Sequence, residues 1–179
     1  LMDCLDSIYK TVTDIDYEIY VVDNNSADGS QTAVKNKFSE VKLIENETNT
    51  GFAHANNQAL SIMKGKFAVL LNSDAVLKEN AIKKLLTFMT STPCAGIAGV
   101  QLLNDDGSRQ NSIDNFPATE TEIFNKSILR LFFPGKYPSK NRSYQNPIEV
   151  DSVIGACMIV SKEAMDEVGI LDEDYFIFL

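Results

Sequence analysis

KFAVLLNSDAVLKENAIKKLL, residues Lys66–Leu86, runs an apolar segment straight into Asn72, Ser73 and Asp74. The run Phe67–Leu71 is nearly continuous in apolar side chains, as a strand buried on both faces requires. Glu79–Thr90 then places Ala81, Leu85 and Phe88 or Met89 on one side of a helix. The same alternation repeats outward. Glu18–Val22 (EIYVV) is a short strand closed by DNNSADGS, and Gln31–Phe38 follows as a helix. Val41–Glu45 is a second strand, followed by the polar turn ENETNTG and a helix from about Phe52 to Lys64. Ile97–Leu103 is a fourth strand. Leu1, Leu5, Ile8 and Val12 recur at helical spacing, so the chain opens on an amphipathic helix.

Strands alternating with helices of this length predict a mostly parallel sheet with helices on both faces. In such sheets ligands lie beyond the carboxyl ends of the strands. DNNSADGS, NTGFAHANN and NSDA then share one rim. Further along, NDDGS (Asn104–Ser108) is a hairpin turn leading into a polar strand, RQNSI. A helix is expected near Thr119–Phe132, then a loop over Pro134–Pro147 with Lys136, Lys140 and Arg142. Those cations suit an anionic acceptor or a membrane face, although a solvated loop is the preferred reading. Val150–Val160 is apolar again, and Ser161 caps a short helix to Val168.

The chain has 179 residues, 25 acidic against 16 basic side chains, and a formal net charge of −9. That balance disfavours a nucleic-acid surface, which needs clustered Lys and Arg. Cys4, Cys94 and Cys157 form no C-x-x-C pair, so a zinc site is not expected and a reducing compartment, the cytoplasm, is. No apolar run reaches the ~20 residues of a membrane span.

Three patches carry candidate chemistry. A carboxylate at Asp23 could accept the imide N–H of a uracil or thymine ring, with Asn24, Asn25 and Ser26 beside it for base or ribose. The alternative is a strand–turn–helix junction in which these side chains build the turn. Gly51 permits close backbone approach, and Asn56 and Asn57 sit near the positive end of a helix, where phosphate or sugar hydroxyl binds well. His54 is the single histidine and is more often a packed or surface residue than a base. Asp74 offers the hard oxygen that Mg²⁺ or Mn²⁺ takes beneath a diphosphate. No G-x-G-x-x-G or G-x-x-x-x-G-K-[ST] pattern occurs.

VVDNNSADGS, NTGFAHANNQAL, LLNSDAVL and IGACMIVSKEAMDEVGILDEDYF occur in that order. Together they resemble family 2 glycosyltransferases of the GT-A fold, in the rhamnosyltransferase-like branch. The resemblance implies a single GT-A domain over residues 1–179, cut short at both ends. It implies that Asp23 and Asn24 bind a pyrimidine base and ribose, and that Asn49, Gly51, Phe52 and Asn57 shape the donor pocket. Asn72, Ser73 and Asp74 stand for the D-x-D element, with Asp74 as metal ligand and Asn72 in place of its first acid. Gly155, Ala156 and Cys157 floor the sugar and acceptor site. The general base is expected just after Leu179, with Asp172, Glu173 and Asp174 mainly structural and Tyr175, Phe176 and Phe178 as packing residues. The implied partners are a dTDP- or UDP-sugar donor and a polysaccharide or lipid-linked acceptor at the inner face of a membrane. A nucleotidyltransferase on a related sheet and a non-catalytic nucleotide-sugar-binding module are the alternatives.

Overall fold

The computed structural model describes residues 1–114, 116, 132 and 144–176. The expected helix near Thr119–Phe132, most of the loop from Pro134 with Lys136, Lys140 and Arg142, and Phe178 lie outside them. In chain order the elements are α1 (Met2–Thr11), β1 (Tyr20–Asp23), α2 (Ser30–Lys37), β2 (Lys42–Glu45), α3 (Phe52–Leu60), β3 (Phe67–Leu71), α4 (Ala81–Ser91), β4 (Ile97–Gly99), β5 (Ile113–Asp114), β6 (Ser152–Val153), β7 (Cys157–Ser161) and α5 (Lys162–Val168).

The apolar stripes do what their spacing predicts. Leu5 of α1 is buried against Val34 and Phe38, with Val21 and Val41 around them. Tyr9 stacks on Phe38 with ring centroids 5.5 Å apart. Val12, Leu77, Leu85, Met89, Cys157 and Ile159 form the main core cluster. The NDDGS turn closes as expected. Asn104 N–H donates to Ser108 O, Gly107 takes a positive φ, and Leu103 bridges Arg109.

The sheet departs from expectation. Among the described residues only β1 and β2 pair in parallel, Asp23 lying opposite Glu45. β7 instead enters between β3 and β4 and runs antiparallel to both, and β5 pairs antiparallel with β6. Two-sided burial is satisfied equally by either direction, so an apolar run does not encode it. Cys157 to Val160 are all buried because they occupy the centre of this three-stranded sheet. The expected fourth strand shortens to Ile97–Gly99, the part that finds β7 as a partner.

Among the described residues, β1 and β3 each keep one edge without a strand neighbour. Both line one cavity of about 850 Å³, together with Leu1, Leu5, Ile8 and Val12 of the α1 region. Val69 in mid-β3 is consequently 36% exposed. Cys4 Sγ lies 3.6 Å from Asn72 O, which sets the start of α1 at the carboxyl end of β3.

Ser161 caps α5 as expected, its hydroxyl accepting from Ala164 N–H at 3.1 Å. Ser161→Ala removes that acceptor and is expected to cost about 1 kcal/mol in urea denaturation.

Candidate donor-binding rim

Asp23 ends β1 and is only 7% exposed. Its Oδ2 accepts from Ser26 N–H at 3.0 Å and from the Gln31 side chain of α2 at 2.6 Å. Burial pushes this carboxyl up, but hydrogen bonds from Gln31, Ser26 and the Asn25 backbone outweigh it and hold it below its usual range. Asp23 is therefore an ionised acceptor at neutral pH and also the keystone of the turn. Sequence reasoning had weighed those two roles against each other, and it missed Gln31 altogether. The one available signal was a polar side chain in the first turn of the helix that follows DNNSADGS.

The parallel register sets Asn24 beside Asn46, since Asp23 and Glu45 are partners. Asn24 Oδ1 accepts from Asn46 Nδ2 at 2.8 Å and from Thr50 Oγ1 at 3.1 Å, while its Nδ2 donates to Gly51 O at 3.2 Å. Gln58 of α3 exchanges two further bonds with Asn46, at 2.9 and 3.0 Å. Asn24 is thus mainly a staple between two strand ends, with one N–H of its amide outside this network. Asn49 Oδ1 holds Gly51 N–H at 3.0 Å, so its oxygen shapes the loop.

Gly51 opens α3 with φ 84° and ψ 174°. The acidic turn near the end of the chain packs on it. Phe52 N–H donates to Phe176 O at 2.9 Å. Asn57, expected in the donor pocket, is turned inward here. It is 3% exposed, and both its N–H bonds are spent, on Leu171 O at 2.8 Å and Glu173 Oε1 at 2.9 Å. Its Oδ1 accepts from Leu171 N–H. A polar residue on the inner face of a short helix must find partners there, and this turn supplies them. His54 Nδ1 lies 2.8 Å from Glu173 Oε2. Hydrogen bonds from Asn57 and His54 lower the Glu173 carboxyl. The acidic turn is structural, as expected, and it occupies the lone histidine.

The end of β3 delivers Asn72, Ser73 and Asp74 to solvent; all three are exposed. They line the same cavity as Asn24, Phe52 and Asn56, so three of the expected polar segments do meet on one rim. Asn72 N–H donates to Ala156 O at 3.0 Å, which brings the Gly155–Ala156 turn alongside. A Cβ on Gly155 would lie 3.7 Å from the Phe52 ring. Cys157 departs from expectation. Its side chain is 3% exposed and belongs to the core. Burial, then the neighbouring Cys4, raises its thiol to about 11. It is an inert packing residue.

No group of three or more His, Cys, Asp or Glu side chains comes together among the described residues. An Mg²⁺ or Mn²⁺ site of one carboxylate, waters and substrate phosphates does not need one. Asp74, with Asn72 and Ser73 beside it, fits that donor set.

An α/β chain with polar residues at three of its strand ends along one cavity is the class that the fold and site define. The chain belongs to the glycosyl transferase family 2, whose model matches residues 1–169. It is 25% identical over 176 residues to the low-salt glycan biosynthesis hexosyltransferase Agl10 of Haloferax volcanii, covering 96% of this chain and 53% of that protein. It is also 25% identical over 178 residues to the N-acetylglucosaminyl-diphospho-decaprenol L-rhamnosyltransferase of Mycobacterium tuberculosis, covering 90% and 57%. The chain therefore spans a little over half the length of these relatives. Among solved structures it is similar to a mannosyltransferase of Pyrobaculum calidifontis in complex with GDP-Man and Mn²⁺. The TM-score is 0.61 and the identity 22%, over 97% of this chain and 44% of that one. Staphylococcus aureus TarS 1–349 gives a TM-score of 0.60 at 16% identity, over 97% and 46%. These likenesses support the GT-A fold. Among the described residues no helix is long and apolar enough to cross a membrane.

Proposed function

We propose that this chain is the donor-binding part of an inverting glycosyltransferase. It would take a sugar, rhamnose as the first choice, from a pyrimidine nucleoside-diphosphate donor to a saccharide or lipid-linked acceptor. The observation that carries the reading is the shared rim of Asn24, Phe52 and Asn72–Asp74 around one cavity. Membership of the family supports the chemistry, and the relative named as acting on a decaprenol-linked saccharide supports the acceptor class.

In this reading Asp23 accepts a base N–H, and the Asn24 staple holds the Gly51 loop against the ribose side. Asp74, with Asn72 and Ser73, would hold Mg²⁺ or Mn²⁺; the neighbour solved with GDP-Man and Mn²⁺ supports that choice. When bound, such an ion offsets the negative charge that develops on the leaving diphosphate. Gly155 and Ala156 present backbone to the sugar and leave room for it. An acceptor hydroxyl attacks the anomeric carbon in line, and a carboxylate takes its proton. That base belongs to the segment expected just after Leu179.

The domain reading, a single GT-A domain over residues 1–179, is part of the same proposal.

Calorimetric titration with UDP and dTDP, with and without Mn²⁺, tests the donor site. Binding is expected to require the ion, and Asp74→Asn is expected to weaken it at least about tenfold, since a charged ligand is lost. Binding that ignores both the ion and the substitution would overturn the metal role of Asp74.

A further inference from the structure

Asn56 and Asn57 are neighbours on α3, and the fold puts them to different uses. Asn57 turns inward and spends its amide on the acidic turn. Asn56 is half-buried and lines the cavity with Asn24, Phe52 and Asn72–Asp74. Its Nδ2 donates to Phe52 O at 2.8 Å, one turn back along its own helix. Among the described residues that is its only side-chain hydrogen bond. An asparagine amide carries two N–H donors and an oxygen with two acceptor positions. With the nitrogen drawn back to the helix backbone, Oδ1 lies on the opposite side of the amide carbon. The amide therefore keeps its oxygen and one N–H for a group in the cavity.

The start of a helix suits either a phosphate or a hydroxyl, and the Asn56 amide decides between them. Phosphate oxygens only accept hydrogen bonds, so an amide oxygen facing them is repelled. A hydroxyl both donates and accepts, which matches an oxygen beside an N–H. Position along the rim narrows the choice further. In the reading above, the base lies at the end of β1 and the diphosphate at the end of β3. α3 packs on β1 and lines the same cavity as the end of β3. The ribose is the part of a nucleotide that joins base to diphosphate.

We propose that Asn56 is a further donor-binding residue, its Oδ1 accepting a hydrogen bond from a ribose hydroxyl. This rests on the reading of the rim as a nucleotide-sugar site and adds to it a contact to the ribose. Asn56 touches the ligand directly, whereas Asn24 and Asn49 shape the loop around it.

The test titrates UDP, 2′-deoxy-UDP and 3′-deoxy-UDP, each with Mn²⁺, into the wild-type chain, Asn56→Ala and Asn56→Asp. Alanine is the better helix former, so the first variant is expected to fold. The wild-type chain should bind one of the deoxy nucleotides about fivefold more weakly than UDP, the worth of about one neutral hydrogen bond. Asn56→Ala should weaken UDP by a similar factor and lose the discrimination between UDP and that deoxy form. Asn56→Asp keeps an oxygen acceptor, so the discrimination should survive in it, whatever the added charge does to overall affinity. If the Asn56→Ala loss and the hydroxyl loss instead multiply, the two groups act independently, and the inference is overturned with the nucleotide site left standing. Equal binding of all three nucleotides by the wild-type chain overturns it in the same way. A wild-type chain that binds no UDP removes the nucleotide reading and the inference together.

Discussion

Gly51→Ala is expected to lower stability by about 4 kcal/mol, the largest loss foreseen for a single methyl group in this chain. Two independent penalties add. Gly51 holds φ 84° and ψ 174°, a region that L side chains essentially do not enter. A Cβ there would also stand 2.8 Å from Phe176 O and 2.9 Å from the Phe176 ring. The ring could turn aside, but the carbonyl is fixed by its bond from Phe52 N–H. Relief therefore means lifting the acidic turn off α3. Thermal denaturation should show a midpoint lower by about 8–16 °C for a chain of this size. Hydrogen exchange should quicken first at Phe52, whose amide loses its acceptor. A Gly51→Ala chain that melts within about 2 °C of wild type, with Phe52 still protected, would show that the turn is not held as described.

Asn57→Leu is the second large effect, expected at about 3 kcal/mol. Leucine has the branching and heavy-atom count of asparagine, so no cavity is left and the polar loss dominates, with some overpacking added. Leu171 would keep a backbone N–H and a carbonyl whose partner is gone, and Glu173 would lose one of its two neutralising contacts. A buried polar group left without a partner costs about 1–3 kcal/mol. Asn57→Asp separates the contributions. It can still accept from Leu171 N–H, but it sets a carboxylate against Leu171 O and Glu173 Oε1, so it should be no milder than leucine near neutral pH. Its deficit should shrink as the pH falls and the new acid is protonated. Urea denaturation at pH 5 and pH 7.5 measures both. Equal stability of Asn57→Leu and wild type would mean that the acidic turn contributes nothing to the fold.

Both effects concern contacts between residues more than a hundred positions apart, and that is where sequence reading stopped. Asn57 reads locally as a polar residue near a helix start, which suits a ligand. Its actual partner, Leu171, is invisible until the chain path brings the acidic turn across α3. The same holds for Cys157, which reads as part of a site motif but faces the core once β7 takes the centre of its sheet. Gln31 is a nearer miss. It lies eight positions from Asp23, and only the geometry of the turn shows that its amide reaches back.

What the sequence determined by itself was everything with a short period or a fixed offset. The helical stripe of α1, the apolar runs of β1 and β3, the NDDGS turn and the Ser161 cap all rest on interactions within a few residues. The polar residues that follow each apolar run were legible for the same reason, and they pointed to one rim. Only the tertiary structure decided the direction of β7, the open edges of β1 and β3, and which rim amides are spent on the protein itself. Burial patterns report how deeply a segment lies, and they are silent on which way it runs. A hydrogen bond between distant residues leaves no periodic trace in the sequence, because it depends on where the chain returns.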